Sequence, residues 1–160
     1  MNNTESIDSS NNLKIQMEFY KSYHNNYYNK LIHFFCIPMI IVSIMTFTNE
    51  IIIGYRGSVY HFKINFTNLI ISIYVFLYSL NFGLFIGLLM LAYFLILRYL
   101  SNNIYKLKIN NIEKYLFVLG WVFQFIGHYI EGNRPALIDS LSQAFFQAPL
   151  FSLEFLFQLY

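Results

Sequence analysis

The sequence predicts an all-α protein embedded in a membrane as a bundle of four to five transmembrane helices, with an interfacial helix at its N-terminus. Of its 160 residues, 57% are hydrophobic and only 11% are charged, whereas soluble proteins contain about 25% charged residues. The mean hydropathy is +0.47, and long uncharged segments recur along the chain. Because a chain this short cannot bury so much apolar surface in one core, we expect lipid to be the solvent for the excess.

Charge and cysteine content exclude several classes of protein. The net charge of +2 and the lack of a Lys/Arg cluster argue against a nucleic-acid-binding protein. A single cysteine, Cys36, excludes an intramolecular disulfide framework and a cysteine-rich zinc site. The motifs of serine hydrolases, P-loop proteins and dinucleotide-binding proteins are absent. The multiple histidine boxes of membrane desaturases and hydroxylases are also absent.

The N-terminal part of the chain contains a tail, an amphipathic segment and the first apolar segment. Residues 1–12 are rich in Ser and Asn and predict a disordered tail, so that residues 13–160 form a single membrane-embedded domain. Residues 13–30 carry apolar side chains every four positions with Lys and Glu between them, which predicts an interfacial helix. Residues 31–49 are uncharged and long enough to span or nearly span a bilayer. We expect Pro38 to kink this helix or to mark its start.

The middle of the chain predicts a loop and then a helical hairpin. Residues 50–63 combine glycines with charged residues and predict a loop without β-structure. Arg98 is the only charge in residues 66–100. One straight helix of that length would reach about 52 Å, well beyond the ~30 Å hydrocarbon core. The segment must therefore fold back, with residues 79–83 as the natural turn. The Gly83–Gly87 spacing favours close helix contact in lipid.

The last third of the chain predicts the remaining helices. Residues 101–114 form a polar, basic connector, and residues 115–130 are again uncharged. Residues 136–160 are mostly apolar, and we expect Pro149 to break them into two short helices. The Lys and Arg residues divide four to six between the two sides of the membrane. That split is too even for the positive-inside rule to give the orientation.

Three of the four histidines fall where they can meet. His24 and His33 flank the entry to the first apolar segment, and His128 lies near the end of a later one. If residues 66–100 form a hairpin, three crossings precede the segment of His128, which then emerges on the same face as the other two. Converging imidazoles suit a first-row metal, with iron and zinc as the candidates. The alternative is that these histidines lie at headgroup depth and hold no metal.

Residue spacing constrains this histidine site. His24 and His33 are nine residues apart and would face opposite ways on one continuous helix. We therefore expect the helix to break between them, at Asn25 and Asn26. Asn29 precedes His33 by one helical turn on the same face, so its role would be to orient that histidine.

Two further residues are considered for a role at the site of the three histidines. Glu131 shares a helical face with His128 and is a candidate metal ligand or general base. His61 lies in the predicted loop, and we interpret it as structural or incidental.

Two stretches of the chain together resemble a known family. They consist of residues 23–24, 29 and 33–38, and of residues 120–128, 131, 134–137, 139, 143–144 and 148–151. The chain resembles the small endoplasmic-reticulum family named for the metabolism of phytosphingosine to odd-numbered fatty acids. The resemblance extends from Tyr20 to Phe157, and the middle helices match only in hydropathy. Many members have glycine where Phe35 or Cys36 stands in this sequence.

The resemblance implies an activity and a set of site residues. Characterised members are iron(II)-dependent dioxygenases that shorten 2-hydroxy fatty acids by one carbon, with loss of carbon dioxide. By resemblance the Fe2+ ligands are His24, His33 and His128, while Asn29, Gln124 and Glu131 match polar positions that support or take part in catalysis. The substrates would be a 2-hydroxy long-chain fatty acid and O2, and no 2-oxoglutarate or flavin site is implied.

The resemblance also implies a location, the endoplasmic-reticulum membrane, which the chain would cross several times. The chain length of the substrate and the oligomeric state are left open. One alternative is a non-catalytic membrane scaffold or lipid-binding protein, and an inactive member of the same family would fit that reading too. Another alternative is a hydrolase with a zinc site.

Overall fold

A computed structural model describes most of the chain, and it is mostly helical, as predicted. The described residues are 13–18, 21–56, 61–133, 135 and 141–157. The expected disordered tail, residues 1–12, lies outside them. Residues 13–18 and 21–22 are helical. The elements that follow are α1 (Tyr27–Phe47), β1 (Ile52–Arg56), β2 (His61–Asn65), α2 (Phe66–Phe82), α3 (Leu84–Lys106), α4 (Ile112–Glu131) and α5 (Leu141–Phe157).

A β-hairpin replaces the loop predicted at residues 50–63, so the all-α prediction is wrong at this point. Strands β1 and β2 pair antiparallel, with Ile52 opposite Asn65 and Arg56 opposite His61. The backbone N–H of Phe66 donates to the carbonyl oxygen of Ile51 and closes the base of the hairpin. Isoleucine favours extended backbone. The isoleucines and aromatic residues of β1 and β2, namely Ile52, Ile53, Tyr55, Phe62 and Ile64, all favour strands and outweigh the glycines and charges that suggested a loop.

The predicted helical hairpin at residues 66–100 is confirmed. The break falls at Gly83, whose φ of 87° lies in the region that favours glycine. The N–H of Gly83 donates to the carbonyl oxygen of Ser79 at 3.1 Å. A Cβ atom added at Gly87 would lie 1.8 Å from the Oγ of Ser79. The two helices therefore approach closely at this glycine, as the Gly83–Gly87 spacing predicts.

Both prolines within the described helices are interior residues. Helix α1 begins at Tyr27 and contains Pro38, which therefore does not mark its start. Helix α5 runs without interruption through Pro149, so the prediction of two short helices there is wrong. A proline removes one backbone donor from a helix, and apolar helices tolerate this where neighbouring groups satisfy the freed carbonyl groups.

Two of the described helices are long and apolar enough to cross a bilayer, namely α1 and α3. Helix α2 is also apolar but has only 17 residues.

The chain packs as two compact units. We call the first, Met1–Ile41 with Lys114–Tyr160, the histidine unit, and the second, Val42–Glu113, the hairpin unit. The core of the described histidine unit consists of Leu13, Met17, Cys36, Ile37, Ile40, Leu150, Phe151 and Leu153. The core of the described hairpin unit consists of Val42, Met45, Ile71, Tyr78, Phe82, Ile86, Met90, Tyr93, Phe94 and Leu97.

Candidate metal centre

The histidine unit brings His24, His33 and His128 together. The ring centroids lie 4.5 Å apart for His24 and His33, 5.0 Å for His24 and His128, and 4.9 Å for His33 and His128. One ring nitrogen from each histidine lies within 4.8 Å of the other two. All three side chains are buried, with exposed fractions of 0%, 1% and 7%. The three histidines therefore meet in space as predicted, while their role as metal ligands remains a prediction.

A break in the helix before α1 allows His24 to face His33. Residues 23–26 are not helical, so the break includes the predicted Asn25 and Asn26. The backbone N–H of His24 donates to the carbonyl oxygen of Lys21 at 2.8 Å. The side chain of Asn26 then accepts a hydrogen bond from the N–H of Tyr28 and so caps the start of α1.

The carboxylate of Glu131 connects the end of α4 to this break. It accepts hydrogen bonds from the backbone N–H groups of Asn25 and Asn26, both at 2.8 Å, and from the side-chain amide of Asn29 at 3.1 Å. Burial alone would raise the pKa of Glu131, but these three hydrogen bonds and the nearby ring of His24 together lower the pKa below its ordinary value. The structure thus places Glu131 as a clamp on the His24 segment, and its carboxylate is not among the grouped ligand atoms.

Asn29 fixes the ring of His33. The Nδ1 atom of His33 lies 3.0 Å from the backbone carbonyl oxygen of Asn29. Since a carbonyl group only accepts hydrogen bonds, the ring donates from Nδ1 and, when neutral, presents an unprotonated Nε2. This arrangement is typical of histidines that bind metals. Asn29 is itself fully buried.

Glycines allow α4 to approach α1 beside the histidines. A Cβ atom at Gly127 would lie 2.4 Å from the Oδ1 atom of Asn29, and one at Gly120 would lie 2.6 Å from the Cγ1 atom of Ile40. A side chain at either position would force the opposing side chain to shift, so glycine at both positions permits the close approach of the two helices. The sequence assigned no role to Gly120 or Gly127. Their spacing of seven residues nevertheless places both on one face of the helix, which was the available signal.

Helix α5 supplies an aromatic cover for the site. The ring of Phe151 lies 4.9 Å from that of His24 and 6.4 Å from that of His33, measured between centroids. Phe151 is 2% exposed. The sequence did not predict this contact, because a phenylalanine that covers the site and one that faces lipid look the same within an apolar segment.

The group of three buried histidines does not include two other residues singled out from the sequence. Gln124 is half-buried one turn of α4 before His128, and among the described residues no hydrogen bond joins it to the histidines. His61 begins β2 in the hairpin unit.

The donor set fits a metal ion. Buried imidazoles are ligands for iron, zinc, copper and nickel. The Nδ1 atom of His128 is buried without a hydrogen bond among the described residues, and a ligand would satisfy it. Metal–nitrogen distances are about 2.0–2.1 Å for an ion such as zinc. The three nitrogens lie within 4.8 Å of one another, so small movements of the rings suffice to bring them onto one ion.

Known proteins resemble this chain over most of its length. The family model described as "2-hydroxy-palmitic acid dioxygenase Mpo1-like" matches residues 10–159. A protein of Saccharomyces cerevisiae named 2-hydroxy-palmitic acid dioxygenase MPO1 is 37% identical over 153 residues, which cover 92% of this chain and 81% of the yeast protein. No solved structure matches the chain significantly. The family match includes all three histidines and both stretches that carry the resemblance, and the chain belongs to the Mpo1-like family.

Proposed function

We propose that this protein is an iron(II)-dependent dioxygenase that converts a 2-hydroxy fatty acid to the fatty acid one carbon shorter. The observation that carries the proposal is the buried group of three histidines in a chain whose family and yeast relative are named for 2-hydroxy-palmitic acid dioxygenase. One 2-hydroxy acid and one O2 give one shortened acid, one carbon dioxide and one water. The substrate loses four electrons and O2 gains them, so no second oxidant is needed.

In this proposal His24, His33 and His128 hold the Fe2+ ion, which when bound supplies the redox chemistry with O2. The carbonyl group of Asn29 orients His33, and Glu131 holds the segment that carries His24. Burial of the rings keeps bulk water from the reacting groups. The catalytic role suggested by resemblance for Glu131 becomes a positioning role, because its oxygens already accept three hydrogen bonds.

The three-histidine donor set also suits the substrate class. A 2-hydroxy acid offers two neighbouring oxygens, from its carboxylate and its hydroxyl group, that can chelate one ion. Three protein ligands leave coordination positions open for such a chelate. The name of the yeast relative gives 2-hydroxy-palmitic acid as the substrate of that protein.

We further propose that the chain crosses the endoplasmic-reticulum membrane four or five times. Helices α1 and α3 support this by length and composition. Helix α4 supports it by its surface, where apolar side chains are exposed from Tyr115 to Ile130. The exposed apolar residues of α4 are Tyr115, Phe117, Val118, Leu119, Val122, Phe123, Phe125, Ile126, Tyr129 and Ile130. An exposed apolar surface of this kind is favourable only when it is buried against another apolar phase. Lipid provides that phase and also dissolves the acyl chain of the substrate.

The test is anaerobic purification in detergent, reconstitution with iron(II), and reaction with 2-hydroxypalmitate with and without O2. Product is followed by mass spectrometry. The proposal predicts oxygen-dependent formation of pentadecanoate and of carbon dioxide. Stoichiometric metal without turnover would contradict the proposed substrate. Protein that neither binds metal nor forms product would favour the non-catalytic scaffold, and oxygen-independent hydrolysis with bound zinc would favour a hydrolase.

A further inference from the structure

Helix α5, which carries the aromatic cover of the histidines, also carries the buried amide of Gln147. Gln147 is 1% exposed. Its Nε2 atom donates to the Oε1 atom of Gln16 at 3.1 Å. Its own Oε1 atom is buried and accepts no hydrogen bond among the described residues. A buried acceptor without a donor costs free energy, so this atom favours any ligand that brings a hydrogen-bond donor.

The position of Gln147 relates it to the site. Gln147 and Phe151 are four residues apart on α5 and therefore share a helical face. The ring of Phe151 packs against those of His24 and His33. The backbone of Gln147 is accordingly about 6 Å along the helix axis from that of Phe151, which covers the histidine cluster. That distance is within reach of a small polar group on a ligand bound at the histidines.

The chemistry of the orphan atom selects the group that it can bind. At neutral pH a carboxylate offers only acceptors, and an acyl chain offers neither donors nor acceptors. The hydroxyl group is the only hydrogen-bond donor of a 2-hydroxy fatty acid. We propose that the Oε1 atom of Gln147 accepts a hydrogen bond from the 2-hydroxyl group and makes Gln147 a specificity-determining residue. This inference rests on the proposed function, because its ligand is the substrate of that reaction.

The consequence is selectivity against acids that lack the hydroxyl group. Palmitate would leave Oε1 of Gln147 buried and unpaired in the complex, and sites built to bind a hydroxyl group reject analogues without one for this reason. Replacing the amide by an apolar side chain of similar size removes the acceptor, and with it the preference for the 2-hydroxy acid over palmitate. Hydrogen bonding between Gln16 and Gln147 then serves to hold the amide so that Oε1 faces the ligand.

The experiment measures binding, so it does not depend on turnover. Equilibrium dialysis under anaerobic conditions gives the affinity of the iron(II)-loaded full chain for 2-hydroxypalmitate and for palmitate. Gln147→Leu is compared with the wild type, and Gln147→Met is a second variant in case the leucine variant does not fold. Ser152→Ala is the matched control, because the buried hydroxyl group of Ser152 already donates to the carbonyl oxygen of Pro149. Iron content is measured for every sample.

We expect Gln147→Leu to bind 2-hydroxypalmitate roughly 3- to 10-fold more weakly, the loss typical of one hydrogen bond. Palmitate affinity and iron content stay at wild-type levels, as do all values for Ser152→Ala. The inference is overturned if Gln147→Leu keeps the wild-type preference for 2-hydroxypalmitate over palmitate, or if it binds both acids equally more weakly. In either case, turnover of 2-hydroxypalmitate by the wild type leaves the proposed function standing. Wild-type protein that neither binds nor converts 2-hydroxypalmitate overturns both.

Discussion

The two units of the molecule bury polar side chains in different ways. In the hairpin unit the buried hydroxyl groups bond to the helices themselves or to one another. Thr46 donates to the carbonyl oxygen of Val42 at 2.8 Å, its hydroxyl oxygen lies 3.1 Å from that of Ser101, and Thr67 pairs with Thr48 at 2.8 Å. These groups are satisfied locally, so they need no ligand.

The histidine unit instead contains several buried polar atoms that no described residue satisfies. The described residues His128, Asn29 and Gln147 each have a buried side-chain atom without a hydrogen bond. In the described part of the hairpin unit Arg98 has one such atom, and its other terminal nitrogen donates to Asn65 at 3.2 Å, as the side-chain nitrogens of Asn29 and Gln147 donate to their partners. Polar groups in an apolar protein are costly. A cluster of them that the fold does not satisfy therefore indicates where a ligand binds, whereas satisfied hydroxyl groups indicate packing.

The largest expected effect comes from removing a histidine. His24→Ala, His33→Ala and His128→Ala each take one imidazole from the group, and we expect each to reduce turnover to background and to abolish stoichiometric metal binding. Metal analysis and product formation are measured on the same preparations. His61→Ala, in the hairpin unit, is the control and should match the wild type. Activity in His128→Ala, or its loss in His61→Ala, would show that the ligand set is wrong.

Removing the clamp at Glu131 should have the next largest effect. Glu131→Ala leaves the N–H groups of Asn25 and Asn26 and the amide of Asn29 without their acceptor. Loss of groups that support metal ligands typically costs about 10- to 100-fold in metal affinity, and we expect a loss in that range from metal titration. Glu113→Ala, at the opposite end of α4, is the matched control. Equal affinities for the two variants would contradict the positioning role of Glu131.

Two glycine variants separate the site from packing. Gly127→Ala would force the Oδ1 atom of Asn29 away, and Gly87→Ala would collide with Ser79. Each overpacked contact should destabilise the protein by about 1–3 kcal/mol, seen as a lower thermal midpoint in detergent. Only Gly127→Ala should also weaken metal binding, because only its contact involves the residue that orients His33. Weakened metal binding in Gly87→Ala would contradict the separation.

The smallest effect is expected in the hairpin unit. Thr46→Val preserves the shape of the side chain but removes its hydrogen bonds to Val42 and Ser101. We expect a loss of about 1 kcal/mol in stability and unchanged metal affinity and turnover. Thermal unfolding and metal titration of this variant check the two statements. A loss of metal affinity here would mean that buried polar groups of the hairpin unit also serve the site.

The sequence predicts those features that depend on length, charge and chain direction. The helical hairpin follows from 35 residues with one charge and from the turn at Gly83, and the break before α1 follows from the spacing of His24 and His33. The meeting of the three histidines follows from counting crossings. These arguments need only the bilayer thickness and the helical repeat.

The remaining features depend on tertiary contacts that no local pattern shows. The hydrogen bonds of Glu131 join residues more than 100 positions apart, and the close approach at Gly127 is set by the opposing Asn29. The β-hairpin was missed because glycines and charges in a short segment are equally typical of a loop. Helix α5 was divided wrongly because the rule that proline ends helices is weaker where the surroundings stabilise the helix.

The central claim is that one metal ion binds to His24, His33 and His128. X-ray absorption spectroscopy of the anaerobically iron(II)-loaded protein, with metal analysis of the same sample, tests it most directly. We expect one iron per chain, with a scattering pattern from three imidazole ligands that is lost in His24→Ala, His33→Ala and His128→Ala. Iron absent from the wild type, or bound with the same spectrum in those variants, would contradict it.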